Sequence, residues 1–434
     1  MPGFLEGMDR VRKAELLLAI ALAIAFAGYL IAIYIGNIDT EVIRERYWKN
    51  VVPLFDGEIP IMEYPPLSLV FFVIPRLFAS SPFGYNVAYV IFTYLFTILG
   101  LELMRRIADH YGADQIKTMV VYSVLMALML EFIADRYDIF PAIMTIAAFY
   151  MFIKKRVSWA FILLALGMMT KLYPALLFPV FIMCYLAQKD RRSVLEGTAW
   201  FVFVAIATIL VVYLIEPMAI TNFIDYHLQR PLEVGCVAAT VIYPFSMIGL
   251  TDVWILPATA PGSFGSDDLM GAVPDAIAPI LTPLMILLIL LVIGYYGYVR
   301  ARTERQDERF FLISATILAV LLIFIVVGKV FSSQYLIWAV PFYVLVIVSS
   351  QDRAFIKRLQ YLTVAAFMLT QVNFAYIYGY LGGGTAIDDL AMISMLVRNL
   401  MIVATLIMVG MQMQKVAKDG FHDDGEHRGE ECYC

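Results

Sequence analysis

The stretch Leu67-Ser68-Leu69-Val70-Phe71-Phe72-Val73-Ile74-Pro75-Arg76-Leu77-Phe78 decides how the whole chain is threaded. It is apolar, but a helix of about a dozen residues reaches only about 18 Å, against a hydrocarbon core about 30 Å thick. Pro75 and Arg76 also weigh against a span. The reading is therefore a re-entrant or interfacial helix inside the first outer loop. With the N-terminus inside, every inner segment then carries at least three basic residues, from Arg10, Arg12 and Lys13 to Lys415, Lys418 and Arg428. Counting 67–78 as a full span would reverse everything after it and place most basic clusters outside.

Outward from that point, apolar runs predict about twelve helices. They fall near 16–36, 84–104, 117–134, 138–153, 157–170, 172–187, 194–215, 275–299, 311–328, 335–350, 360–381 and 390–411. Outer loops 37–83 and 216–274 are long. The tail from Gln412 to Cys434 is polar and reads as disordered in the cytoplasm. The composition agrees: 62% of residues are hydrophobic and 15% charged, too little polar surface to cover a water-soluble body. Net charge is −5 with dispersed basic residues, which excludes a nucleic-acid partner. The run Leu16–Gly36 is long enough to span and shows no cleavage site. Cys184, Cys236, Cys432 and Cys434 form no disulfide framework.

Ionisable residues near helix ends are costly unless paired or wet, and here they gather on the outer side. Asp39 follows the first predicted helix; it can serve as a general base facing a cavity or as an N-cap for a helix over 40–50. Glu63 precedes Tyr64-Pro65-Pro66, an extended stretch that would aim it rigidly; it also suits a loop anion paired to an arginine. Asp135-Arg136-Tyr137-Asp138 joins two helices, with Asp138 either capping and pairing with Arg136 or facing a ligand. Lys171, in Lys171-Leu172-Tyr173-Pro174, must snorkel or meet an anion such as phosphate. His227 and Arg230 share a helical face and could grip a phosphodiester; they could equally be surface residues. Lys329-Val330-Phe331-Ser332-Ser333-Gln334-Tyr335 offers a cation, hydroxyls and an amide. Trp338 reads as an interfacial belt residue.

These residues, taken together, resemble glycosyltransferase family 87, the polyprenyl-phosphate-mannose-dependent enzymes of the C-type (GT-C) membrane glycosyltransferases. The resemblance runs from about Asp39 to Pro341. Asp39, Tyr47, Gly57, Pro60, Glu63, Tyr64, Pro65 and Pro66 match its first outer loop in order. Arg136-Tyr137-Asp138, Lys171-Leu172-Tyr173-Pro174 and Lys329 to Tyr335 match later segments. Tyr226, His227, Arg230 and Glu233 match a further loop, where Val234 and Gly235 stand in place of the usual serine.

The resemblance implies an all-α polytopic membrane protein with a GT-C-like fold, one transmembrane domain over 1–411 and a tail over 412–434. It implies transfer of a hexose, expected to be mannose, from a polyprenyl-phosphate donor to a lipid or glycan acceptor by inverting single displacement. Asp39, Glu63 and Asp138 are the expected catalytic carboxylates. Lys171, His227, Arg230 and Lys329 are expected to hold the donor phosphate. Tyr64, Arg136, Tyr173, Glu233, Ser333, Gln334 and Tyr335 are expected to contact sugar or acceptor. A divalent metal shared by the carboxylates is compatible with this scheme, but no ligand spacing marks a site. No Gly-rich phosphate loop is present, as a lipid-phosphate donor would allow. The expected location is a prokaryotic plasma membrane with the site on the extracellular side. The rival reading is a secondary transporter or flippase of a lipid-linked sugar; it needs ionisable groups near mid-bilayer, for which Glu102, Glu131 and Glu196 are candidates.

Overall fold

Breaks in the apolar pattern fall where caps begin the helices. In the computed structural model, which describes residues 8–36, 42–58, 60–376, 381 and 386–422, Asp9 accepts from the Val11 and Arg12 amides at 2.8 and 3.0 Å and opens α1 (Arg10–Tyr34). Ser81 caps α4 (Pro82–His110), with Pro82 in the first turn. Asp114 caps α5 (Gln115–Leu128), and Asp190 caps α10 (Arg191–Ile215). Each cap satisfies an amide that has no partner inside its helix.

The contacts divide the chain into two compact units, 1–225 and 226–432, with the boundary after Asp225. In the first, a π-helical segment (Val42–Trp48), α2 (Lys49–Phe55) and α3 (Ser68–Arg76) lie in the long connection between α1 and α4. The stretch that decides the threading is thus a helix of nine residues, too short to cross. The predicted helix 117–134 is interrupted at Met129, dividing α5 from α6 (Leu130–Asp135). α7 (Ile139–Ile153) and α8 (Val157–Thr170) pack closely, and α10 runs along α8. A 3-10 turn (Tyr173–Leu176) leads into α9 (Leu177–Ala187). α10 leaves Leu195, Phe203, Ile206, Leu210 and Leu214 exposed; such a face is stable only against lipid.

α11 (Pro217–Gln229) carries the chain across the boundary. Beyond it, the long segment expected to be a loop is partly structured. It holds α12 (Val237–Met247) and a small antiparallel sheet of β1 (Leu232–Glu233), β2 (Trp254–Leu256) and β3 (Asp268–Met270), in the order β1-β3-β2. Strands this short leave no legible alternation in a sequence. α14 (Gln306–Val327), buried along most of its length, is packed by α13 (Ala272–Arg300), α15 (Leu336–Ser349) and α17 (Ala386–His422). α16 (Arg353–Tyr376) lies against α17.

Among the described residues six helices are long and apolar enough to cross a membrane, and six shorter apolar helices accompany them. The protein is an all-α polytopic membrane protein, as expected. The expected change at Gln412 is not where α17 ends: the helix continues to His422, and Lys415 pairs with Asp352 at 2.8 Å. Cys184 and Cys236 are buried free thiols.

Candidate functional site

In the first unit, the chain after Glu63 is extended, then anchored. The Ser68 hydroxyl donates to the Pro65 carbonyl at 2.7 Å, and the Leu67 amide donates to the Met169 carbonyl at 2.9 Å, tying the loop to α8. Tyr47 stacks on Phe72 at 4.3 Å, and Tyr64 meets Tyr137 edge-on at 4.9 Å. The Tyr47 hydroxyl accepts from the Tyr137 amide at 3.3 Å. This aromatic wall places the polar groups. Glu63 accepts from Arg46 at 3.3 Å, the loop ion pair that was one of its two readings. Tyr64 is half-buried, and burial, with Glu63 beside it, pushes its phenol pKa well up.

Asp138 sits at the N-cap position of α7 but does not cap it. Its carboxylate, 1% exposed, instead accepts from the Lys171 ammonium at 2.6 Å. Arg136 pairs with Asp135 at 3.4 Å. The Lys171 ammonium also lies 4.5 Å from the Tyr137 ring centre. Lys171 was expected to meet phosphate; its charge is taken up by Asp138. Breaking so buried a pair from one side costs about 3–5 kcal/mol, so the two act as one unit. Tyr173 is buried, and its hydroxyl accepts from Thr145 at 3.3 Å. Asp39 lies outside the described residues.

The second unit holds a separate polar cluster. Glu233, on β1, pairs in register with Asp268 on β3. The Glu233 carboxylate accepts from the Phe331 amide at 2.6 Å and the Ser332 hydroxyl at 3.2 Å, and its amide donates to the Lys329 carbonyl at 3.0 Å. Within the fold it docks the 329–332 segment. Burial raises its carboxyl pKa, with Arg230 and the Phe331 amide opposing. The Lys329 ammonium donates to the Leu228 carbonyl at 3.1 Å. Its pKa is lowered by burial and by Arg230. Arg230 lies 5.5 Å from the Tyr226 ring centre, and its Nε has no hydrogen-bond partner among the described residues. His227 is exposed beside Tyr226 at the end of α11.

Ser333 is buried, Gln334 half-buried, and Tyr335 stacks on Trp338 at 4.0 Å. Trp338, read as a belt residue, is 2% exposed and packs inside. Its place one helical turn past Tyr335 buries both rings against Phe324.

Two groups escaped the sequence reading. Asp268 is fully buried; its Oδ1 accepts from Ser266 at 2.9 Å, and burial pushes its pKa up to about 6. Arg398, fully buried on α17, was passed over within an apolar run although a charge there is itself a signal. Among the described residues no three His, Cys, Asp or Glu side chains group as metal ligands.

Fold and site together define a polytopic membrane protein with polar clusters built from its loops and helix ends. A family model for glycosyltransferase family 87 matches residues 63–328, and the chain belongs to that family: it is a membrane glycosyltransferase. The match contains Glu63, Tyr64, Arg136, Asp138, Lys171, Tyr173, His227, Arg230 and Glu233. Asp39 and the segment from Lys329 lie outside it. No curated protein matches the chain.

Proposed function

We propose that the protein transfers a hexose, mannose by preference, from a polyprenyl-phosphate donor to a lipid or glycan acceptor at the outer face of a prokaryotic plasma membrane. The observation that carries this reading is the Lys329 ammonium held on the Leu228 carbonyl at 3.1 Å, two residues before Arg230 in the chain. Lys329 has its ammonium pKa lowered, first by burial and second by repulsion from Arg230. An anion relieves that repulsion. A phosphate is the anion a membrane glycosyltransferase has at hand, and Arg230 presents a planar guanidinium to it.

In the proposed reaction the acceptor hydroxyl oxygen bonds to the anomeric carbon from the face opposite the phosphate. The bond from that carbon to the phosphate oxygen breaks, and its electron pair leaves with the polyprenyl phosphate. Arg230 and Lys329 stabilise this growing charge. The hydroxyl proton passes to a carboxylate, and the single back-face displacement inverts the anomeric configuration without a covalent intermediate. Asp39 is our choice for that base, on its position after the first helix; Glu63 and Asp138 are the alternatives, with Arg46 and Lys171 orienting them. Tyr64 and Arg136 would contact the acceptor, and Gln334 and Tyr335 the donor sugar. His227 is a further phosphate donor if α11 presents it.

The transporter reading has less support. Glu102 is engaged by Arg105 at 2.7 Å and by Arg106, while Glu196 accepts from Ser158 at 2.6 Å.

Membranes carrying the protein, given labelled polyprenyl-phosphate mannose, should form labelled product. Lys329→Ala and Arg230→Ala should each lower kcat/KM by about 10- to 1000-fold, the range for one donor to a developing anion. Asp39→Asn should abolish transfer at unchanged expression. Normal transfer in both cation variants would sink the phosphate site; normal transfer in Asp39→Asn would move the base to Glu63 or Asp138.

A further inference from the structure

α17 carries a charge where a membrane helix can least accommodate one. Arg398 lies well inside its apolar stretch, and the residue is fully buried. Its guanidinium donates through Nη2 to the Gly235 carbonyl at 2.8 Å, and through Nε and Nη2 to Asn399 Oδ1 at 3.1 and 2.9 Å. Asn399 in turn donates to the same Gly235 carbonyl at 3.1 Å and to the Thr240 hydroxyl at 2.9 Å. The guanidinium carbon stands 4.2 Å from the centre of the Phe331 ring, a distance at which cation and ring attract.

These contacts form a closed circuit. Gly235 follows the Glu233 turn, in which the Cys236 amide donates to the Glu233 carbonyl at 3.0 Å. The Glu233 carboxylate holds the Phe331 amide and the Ser332 hydroxyl. Phe331 then returns to Arg398 through its ring. The segment is therefore clamped from two sides, by a carboxylate on its backbone and a guanidinium on its aromatic face. A methionine of similar volume would pack this site without the desolvation cost of a buried charge. The planar, multi-donor shape of arginine is what joins a carbonyl, an amide oxygen and a ring at once.

We propose that Arg398 is a positioning residue, which sets the Phe331–Ser332 segment and through it the placement of Lys329 for the donor. The proposal rests on the phosphate role given above to Lys329. Arg398 touches no reacting atom; because it acts through Lys329, its effect should fall on kcat/KM for the donor. Arg398→Met in the full chain should lower kcat/KM for the donor about tenfold. The double variant Arg398→Met/Lys329→Ala should be no worse than Lys329→Ala, since both act through one group.

Amide hydrogen exchange across 328–335 supplies a readout independent of the reaction, and it should speed up about tenfold or more in Arg398→Met. Arg398→Lys keeps the charge but not the planar fork; it should show the same changes at smaller size, and it carries the test if Arg398→Met does not fold. Unaltered exchange in that segment, or additive losses of kcat/KM in the double variant, would overturn the proposal. A normal kcat/KM in Lys329→Ala alone would instead remove the phosphate reading, leaving exchange to decide whether Arg398 holds the segment.

Discussion

At the residue scale, the same side-chain types serve opposite ends according to what the fold sets beside them. Asp138 and Asp268 are both buried aspartates. Asp138 meets an ammonium at 2.6 Å. Asp268 has one serine hydroxyl on Oδ1 and no hydrogen-bond partner for Oδ2 among the described residues. Burial therefore dominates at Asp268 and lifts its pKa from 3.8 to about 6, with Ser266 and Arg230 only partly opposing. A raised carboxyl pKa means that the folded state holds its proton more tightly than the unfolded state. The contribution to stability is full below pH 4 and is lost as pH rises through about 6. The detergent-solubilised protein should thus melt at lower temperature at pH 7 than at pH 4.5 through this group. Each ~1 kcal/mol corresponds to roughly 2–4 °C for a body of this size. Asp268→Asn should remove that part of the slope; an unchanged slope would place the cause elsewhere. The pairing of Asp268 with Glu233 was illegible in the sequence, because the two lie on different strands of a sheet whose elements are two or three residues long.

At the element scale, helix positions followed from apolar runs and caps, while helix contacts turned on single small residues. Gly100 on α4 sits where a Cβ would collide with the Tyr122 hydroxyl on α5 and approach Ile143 on α7 to 2.6 Å. The Tyr122 hydroxyl is itself fixed, donating to the Thr97 carbonyl at 3.2 Å. Gly100→Leu should destabilise the first unit by about 1–3 kcal/mol, the usual cost of overpacking. Thermal unfolding of the variant in detergent would show this, and a wild-type melting point would refute it. Nothing in the run around Gly100 marks it as a contact point. A glycine in an apolar helix reads the same whether it faces lipid or a neighbouring ring. The short helix α3 is the opposite case, since its length and Pro75 alone exclude a span.

At the scale of the whole molecule, basic residues set the orientation that the proposed function requires. A cysteine placed at Leu250, exposed in the second long outer loop, should react with a membrane-impermeant thiol reagent on intact cells. A cysteine at Arg192, in an inner segment, should react only after permeabilisation. The reverse pattern would invert the protein and put the proposed site on the cytoplasmic side.

Composition and charge by themselves determined the membrane class and the approximate helices, and set the direction of threading that we expect. Those properties are sums over many residues and need no knowledge of contacts. The motifs also named most residues of both polar clusters. What only the tertiary structure decided was partnership: Lys171 is spent on Asp138, Glu233 on the Phe331 amide, and Arg398 on Gly235 and Phe331. A charge takes its chemistry from the nearest groups in space, and in this chain those groups lie tens to more than a hundred residues away in sequence.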